Sequence, residues 1–297
     1  MFSGIITPVI TTLDSQGTLD FAGNEIVIDR LIKGGMTGLL FLGSMGEAFA
    51  MTQGEKKELI RFAVATVGKR VPVLIGTGGT VQEEVLDLTE FAAREGADGI
   101  VAISPYYFKL DETTVYNYYA SIAESTNLPV LIYNFPDRTA VNLEPELVLR
   151  LATAFPNIVG IKDTVDNISH TRKLIQTVKS VRPEFAVFSG FDEYLVPNLM
   201  AGGDGVICGL TNVAPEVFAG LQQAYAARDF NGVLAAQAKI NILMNLYEVS
   251  QPFVAAIKGA VMLRGIPVTT AVKEPSIELT AQQLNRIREI LNMAKVV

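Results

Sequence analysis

The chain has 297 residues, is 49% hydrophobic and carries a formal net charge of −7. That length suits one α/β barrel with an appendage better than two small domains. The acidic balance, without a Lys/Arg block, argues against nucleic acid or anionic membranes as partners, although a local site could still be positive enough for a small anion. A single cysteine, Cys208, allows no disulfide within the chain and suits a reducing, cytoplasmic setting. A single histidine, His170, nearly excludes a zinc site built from clustered His or from His with Cys; no cofactor is expected.

The opening segment M-F-S-G-I-I-T-P-V-I-T-T lacks a basic flank and a cleavage pattern, and reads as a first strand. No apolar run reaches the ~18 residues of a membrane span. From there short apolar runs alternate with longer amphipathic segments. Strands are predicted at 5–10, 38–43, 71–76, 98–104, 128–134, 158–162, 185–190 and 205–209. Helices are predicted near 21–34, 53–67, 82–95, 112–124, 143–153, 168–179, 192–201 and 215–227. The strands are nearly continuous in apolar character, as parallel strands covered on both faces should be. Eight βα units predict an α/β fold of the (β/α)₈ TIM-barrel type over residues 1–228. An open doubly wound sheet would carry a glycine-rich phosphate fingerprint after its first strand, and none is present. Helical patterns at 230–246, 251–264 and 280–294 make residues 229–297 a C-terminal helical extension.

Catalytic side chains in such barrels sit at the C-terminal ends of strands. Those ends offer Thr7 and Pro8; G-S-M-G-E (Gly43 to Glu47); G-T-G-G-T (Gly76 to Thr80); S-P-Y-Y-F-K (Ser104 to Lys109); Y-N-F-P-D-R-T (Tyr133 to Thr139); Lys162-Asp163-Thr164; S-G-F-D-E (Ser189 to Glu193); and G-V-I-C-G-L-T-N from Gly205. Lys162 closes an otherwise buried run. Alternation puts Ile158, Gly160 and Lys162 on one face. If that face is the interior, desolvation favours the neutral amine, a nucleophile able to form a Schiff base with a ketone. Gly160 would leave room beneath it. An outward Lys162, or one paired with Asp163, is the structural alternative. Tyr133 ends the preceding strand and could enter the same cavity as a proton shuttle, with Ser44 and Tyr107 as relaying hydroxyls; a purely structural tyrosine is its alternative.

The turn of G-S-M-G-E could hold a carboxylate on its backbone N–H groups, Met45 contributing its amide. G-T-G-G-T reads as a tight turn. Arg138 could clamp a second carboxylate or face solvent. Thr7, Gly190 and Ile207, at the ends of strands one, seven and eight, complete the substrate-binding candidates. Asp192 and Glu193 read as first-turn helix residues. His170 and Cys208 show no evident partners and receive no chemistry.

Together G-S-M-G-E, S-P-Y-Y, Y-N-F-P-D-R-T and G-I-K-D-T occur in an order and at strand ends that resemble the dihydrodipicolinate synthase/N-acetylneuraminate lyase family of class I pyruvate aldolases, with similarity through the helical tail. The resemblance implies a (β/α)₈ barrel with a helical extension, usually a homotetramer, using no metal. It implies pyruvate, or a 2-oxo acid that releases it, held as a Schiff base on Lys162. Tyr133 matches the family's proton-transferring tyrosine, Ser44 its relay hydroxyl, and the Ser44–Met45 backbone the pyruvate-carboxylate turn. Tyr107 matches the tyrosine that completes the relay from a neighbouring subunit.

Within the family, synthases usually show G-T-T-G-E and an N-P-I-P-V-K-like tail, where this chain has Met45 and S-Q-P-F-V-A-A-I-K. Y-N-F-P, G-I-K-D-T-V-D, Q-P-F-V-A-A-I-K and G-I-P-V-T-T most resemble 2-keto-3-deoxygluconate-type aldolases. The expected activity is therefore carbon–carbon lyase chemistry on a 2-keto-3-deoxy sugar acid. Arg138 matches the arginine with which synthases hold aspartate semialdehyde, so dihydrodipicolinate synthase is the alternative. An N-acetylneuraminate lyase-like enzyme, a sugar-acid dehydratase and a non-catalytic ligand-binding barrel stand further off.

Overall fold

The computed structural model describes residues 2–297. Eight parallel strands close into a barrel in chain order: β1 (Gly4–Pro8), β2 (Gly38–Phe41), β3 (Val73–Gly76), β4 (Gly99–Ile103), β5 (Val130–Asn134), β6 (Ile158–Asp163), β7 (Ala186–Ser189) and β8 (Gly205–Ile207). Helices α1 (Phe21–Lys33), α2 (Gln53–Val67), α3 (Gln82–Glu95), α4 (Glu112–Glu124), α5 (Pro136–Thr139), α6 (Pro145–Ala154), α7 (Ile168–Val178) and α8 (Leu195–Met200) connect them. After β8 come α9 (Pro215–Ala226), α10 (Phe230–Leu243), α11 (Val254–Leu263) and α12 (Ala281–Met293). Among the described residues no helix is long and apolar enough to cross a membrane.

The chain falls into two compact units. One comprises the segment up to Ile6 together with Pro72–Ile207. Its ladder runs β3 to β8, with the start of β1 paired to β8 through Gly4↔Gly205 and Ile6↔Ile207. Gly205 is required there: its φ is +143°, and an added Cβ would lie 1.9 Å from the Gly4 carbonyl oxygen. The covering helices present apolar stripes, such as Val85, Leu88, Phe91 and Ala92 on α3, to strands buried along most of their length.

The second unit comprises Thr7–Val71 and Cys208–Val297. Its helix ends are set by sequence: a capping box joins Thr52 and Glu55 at the start of α2, and Gly68, at φ +57°, ends that helix. A second capping box, Thr280 with Gln283, starts α12. Helix α11 is buried on every side from Val254 to Val261 and has Lys258 in its middle.

Several boundaries differ from the expectations. The first strand ends at Pro8, although the buried apolar run continues to Ile10; the Val9 N–H still donates to the Leu40 carbonyl of β2, and the Ile10 N–H turns to the Asn212 side chain at 3.1 Å. The eighth strand stops at Ile207 because Gly209–Asn212 forms a 3₁₀ turn, tied by Asn212 Nδ2 to the Gly209 carbonyl at 2.8 Å. Asp192 and Glu193 lie in a 3₁₀ turn ahead of α8. The expected helix at 143–153 starts at Pro145, where the missing N–H of proline is harmless.

Candidate active site

Strand β6 carries Lys162 inward. The side chain is 4% exposed, and its Nζ lies 4.1 Å from the centroid of the Tyr133 ring. The two residues are direct partners on one rung of the β5–β6 ladder. This geometry rules out an outward lysine, and Asp163 points the other way. An ammonium over an aromatic face gains a cation–π attraction that strengthens when water is excluded. Tyr133 is buried and stacks on Phe135, with centroids 5.8 Å apart and planes at 22°. Arg138, in the one-turn helix α5, sets its guanidinium carbon 5.5 Å from the Phe135 ring centroid.

Gly160 has a tighter purpose than leaving space under the lysine. A Cβ there would meet the Ala186 carbonyl oxygen at 2.7 Å, so glycine permits the approach of β7. Gly190 likewise lies against Thr164, whose Oγ1 would be 1.8 Å from an added Cβ. The Thr164 hydroxyl is buried without a hydrogen-bond partner. It lies two residues beyond Lys162, on the same side by strand alternation, a signal that the sequence reading left unused. Ile207 is fully buried on β8. Tyr107, in the loop after β4, is 89% exposed at φ +95°, with its ring edge-on to Phe108 at 5.0 Å. No described residue of this chain receives its hydroxyl.

Behind the lysine stands a buried polar network. Asp163, at the next position of β6, accepts from Asn134 Nδ2 at 2.9 Å and Thr171 Oγ1 at 2.8 Å. Its carboxylate also meets His170 Nδ1 at 3.0 Å. His170 therefore has a partner, contrary to the sequence expectation. The first turn of α7 lies over the end of β6, where both His170 and Thr171 reach Asp163. Burial opposes the imidazolium, but the Asp163 carboxylate, helped by Glu144 and the Leu143 backbone, outweighs it and raises the His170 pKa above its ordinary value. Cys208 is buried, and its carbonyl accepts the Thr211 hydroxyl at 2.5 Å.

In the second unit the turn from Gly43 to Glu47 follows β2. The N–H groups of Gly46, Glu47 and Ala48 bond to the carbonyls of Gly43 and Ser44, whereas those of Ser44 and Met45 have no acceptor among the described residues. That leaves two adjacent donors of the kind that binds a carboxylate. The buried Met45 side chain packs against Gly209, where a Cβ would come within 2.1 Å of Met45 Cε. Thr7 Oγ1 is buried without a partner. The turn is fixed by Glu47, at φ +57°, whose carboxylate pairs with Lys258 and accepts the Lys273 N–H at 2.7 Å. Among the described residues no group of three or more His, Cys, Asp or Glu is placed to hold a metal ion.

Comparison with known proteins gives consistent matches along the chain. The family model described as the dihydrodipicolinate synthetase family matches residues 1–294. Over 296 residues the chain is 42% identical to the Escherichia coli K12 protein named "Putative 2-dehydro-3-deoxy-D-gluconate aldolase YagE", covering 100% of this chain and 98% of that protein. Over 290 residues it is 43% identical to "Probable 2-dehydro-3-deoxy-D-pentonate aldolase YjhH" of the same organism, covering 98% and 96%. The crystal structure of YagE in complex with pyruvate superimposes with a TM-score of 0.98 at 42% identity, covering 100% of both chains. On this evidence the chain belongs to the dihydrodipicolinate synthetase family.

Proposed function

We propose that the protein is a Schiff-base class I aldolase that cleaves a 2-keto-3-deoxy sugar acid to pyruvate and an aldehyde, or forms it from them. The observation that carries this reading is a buried lysine on one rung with a tyrosine, Lys162 Nζ standing 4.1 Å from the Tyr133 ring centroid. It is supported by family membership and by the two relatives named as aldolases of 2-dehydro-3-deoxy acids.

The Lys162 amine adds to the C2 carbonyl of the keto acid, and the carbinolamine loses water to give an iminium. Tyr133 takes the proton of the C4 hydroxyl as the C3–C4 bond breaks. The bond's electron pair passes into the iminium, leaving an enamine, and the aldehyde departs. Protonation at C3 and hydrolysis return pyruvate and the free amine. The electron sink and the oriented proton acceptor contribute most of the rate.

In this proposal Ser44 and Tyr107 relay the proton, Tyr107 coming from a neighbouring subunit. The Ser44 and Met45 amides hold the keto-acid carboxylate, and Thr7, Arg138, Gly190 and Ile207 surround the substrate. The working form is a cytoplasmic homotetramer, with residues 229–297 as a helical extension of a 1–228 barrel. Arg138 is the residue that favours the second reading, condensation of pyruvate with aspartate semialdehyde; on that reading Arg138→Ala abolishes activity with the semialdehyde.

The test is borohydride reduction in the presence of pyruvate, followed by peptide mass mapping, then a panel of 2-keto-3-deoxy acids coupled to lactate dehydrogenase and NADH. The adduct is expected on the Lys162 peptide. An adduct on the other buried lysine, Lys258, or none at all, refutes the mechanism. Pyruvate release from no member of the panel refutes the substrate class.

A further inference from the structure

The rung that carries the reactive pair is held from its other side. Tyr133 and Lys162 are paired across β5 and β6, and the next rung pairs Asn134 with Asp163. Alternation turns this second pair outward, toward the helices. Their side chains are joined, Asn134 Nδ2 to Asp163 Oδ1 at 2.9 Å, and both are buried. The same Asn134 amide also reaches Asn142 Oδ1 at 3.0 Å, and its oxygen accepts the Leu143 N–H at 3.1 Å.

This bridge matters because the ladder below it is irregular. Val130 pairs with Ile158 but Leu131 pairs with Gly160, so β6 carries one extra residue, Val159, at that point. A bulge loosens local pairing, and a slip of one residue would turn Lys162 to the opposite face. The Asn134–Asp163 link lies four residues along β6 from Val159 and pins the register at the rung adjoining Lys162.

Asp163 is in turn anchored to α7. Thr171 donates to Oδ2 at 2.8 Å, and His170 Nδ1 stands 3.1 Å from Oδ1 and 3.0 Å from Oδ2. Two groups act electrostatically on His170, Asp163 from β6 and Glu144 from the segment ahead of α6, and both are acidic. Both favour a protonated imidazole there. The neutral ring still donates from Nδ1 to the Asp163 carboxylate, so deprotonation keeps the hydrogen bond but removes the attraction between imidazolium and carboxylate.

We propose that Asp163 and His170 are positioning residues for Lys162, and that protonated His170 holds the lysine rung more firmly than neutral His170. The inference rests on Lys162 being the amine that captures the keto acid. It adds a pH dependence to imine formation that comes from outside the barrel interior, from a side chain that touches no substrate.

The experiment compares the pyruvate-dependent borohydride trapping rate of wild type, His170→Asn and Thr171→Val between about pH 5 and 9, which spans the ordinary histidine range of about pH 5–8 and extends on the side toward which His170 is raised. Asparagine places an amide N–H near the Nδ1 position without a titratable charge. The wild-type to His170→Asn ratio is expected to reach about tenfold on the acid side and to approach one as His170 loses its proton, with half-saturation by pyruvate unchanged. Taking the ratio cancels every pH dependence that the two proteins share. Thr171→Val should slow trapping by a factor independent of pH. A ratio of one, or one that is flat with pH, overturns the inference while wild-type trapping leaves the mechanism standing. A wild type that traps nothing overturns both. Should His170→Asn not fold, Thr171→Val decides: trapping equal to wild type at every pH refutes the positioning role.

Discussion

Lys258→Met tests the physics that holds the Gly43–Glu47 turn. The Lys258 and Glu47 side chains are 0% and 1% exposed and form a direct ion pair. The lysine also donates to the Ala271 carbonyl at 2.7 Å, and the second Glu47 oxygen accepts the Lys273 N–H at 2.7 Å. Burial pushes the lysine below its ordinary value; Glu47 pulls against that shift, and nearby Lys273 adds to it. Methionine fills a similar volume but leaves a buried carboxylate with one N–H and no cation. Breaking a buried pair from one side costs about 3–5 kcal/mol, a large share of a net stability of roughly 5–15 kcal/mol. On the thermal scale this is on the order of 10 °C. The assay is thermal unfolding at fixed protomer concentration for wild type, Lys258→Met, Glu47→Leu and the double variant. The double variant should lie above Lys258→Met, because two apolar side chains replace two charges. It should fall short of wild type by the about 1–3 kcal/mol of a Lys273 N–H left without its acceptor. A Lys258→Met protein within about 1 kcal/mol of wild type, or a strictly additive double variant, would refute this reasoning.

Tyr133→Phe keeps the stack on Phe135 and the lysine's aromatic neighbour but removes the phenol; turnover should fall by roughly 10²–10⁴ while borohydride still traps pyruvate on Lys162, and unchanged steady-state turnover removes Tyr133 from proton transfer. Gly205→Ala puts a Cβ 1.9 Å from the Gly4 oxygen at φ +143°, so its melting point should drop by the equivalent of more than about 2 kcal/mol; an unshifted melt contradicts the close approach. His170 has a raised folded value, so its contribution to stability is full below the unfolded value of about 6.5 and is lost as pH rises through the folded value. The melting-point difference between wild type and His170→Asn should therefore be largest in acid and close on the alkaline side; the opposite trend would reverse the assigned sign.

What the sequence made legible was whatever repeats within one element. Alternation put Lys162 on one face with Gly160 and offered Tyr133 at the neighbouring strand end for the same cavity; which way that face turns was left open, and the fold turns it inward. Element ends were less legible where burial outruns hydrogen bonding. Val9 and Ile10 are as buried as the strand before them, yet the strand ends at Pro8, and hydropathy does not distinguish the two conditions. The one-turn helix Pro136–Thr139 is too short to have a period at all. The polar core was hidden for a different reason. Glu47 and Lys258 are 211 residues apart, and only the completed fold joins them. His170 was the more avoidable omission. With Thr171, Leu174, Ile175 and Val178 it occupies the buried stripe of α7, and a histidine on such a stripe must find a hydrogen-bond partner or bear the desolvation of an unpaired ring. The absence of other histidines and cysteines argued against a metal, but it carried no information about a carboxylate. The adjacent strand end, seven residues upstream, offered Asp163, which alternation sets on the face opposite Lys162 and which the fold turns toward that helix.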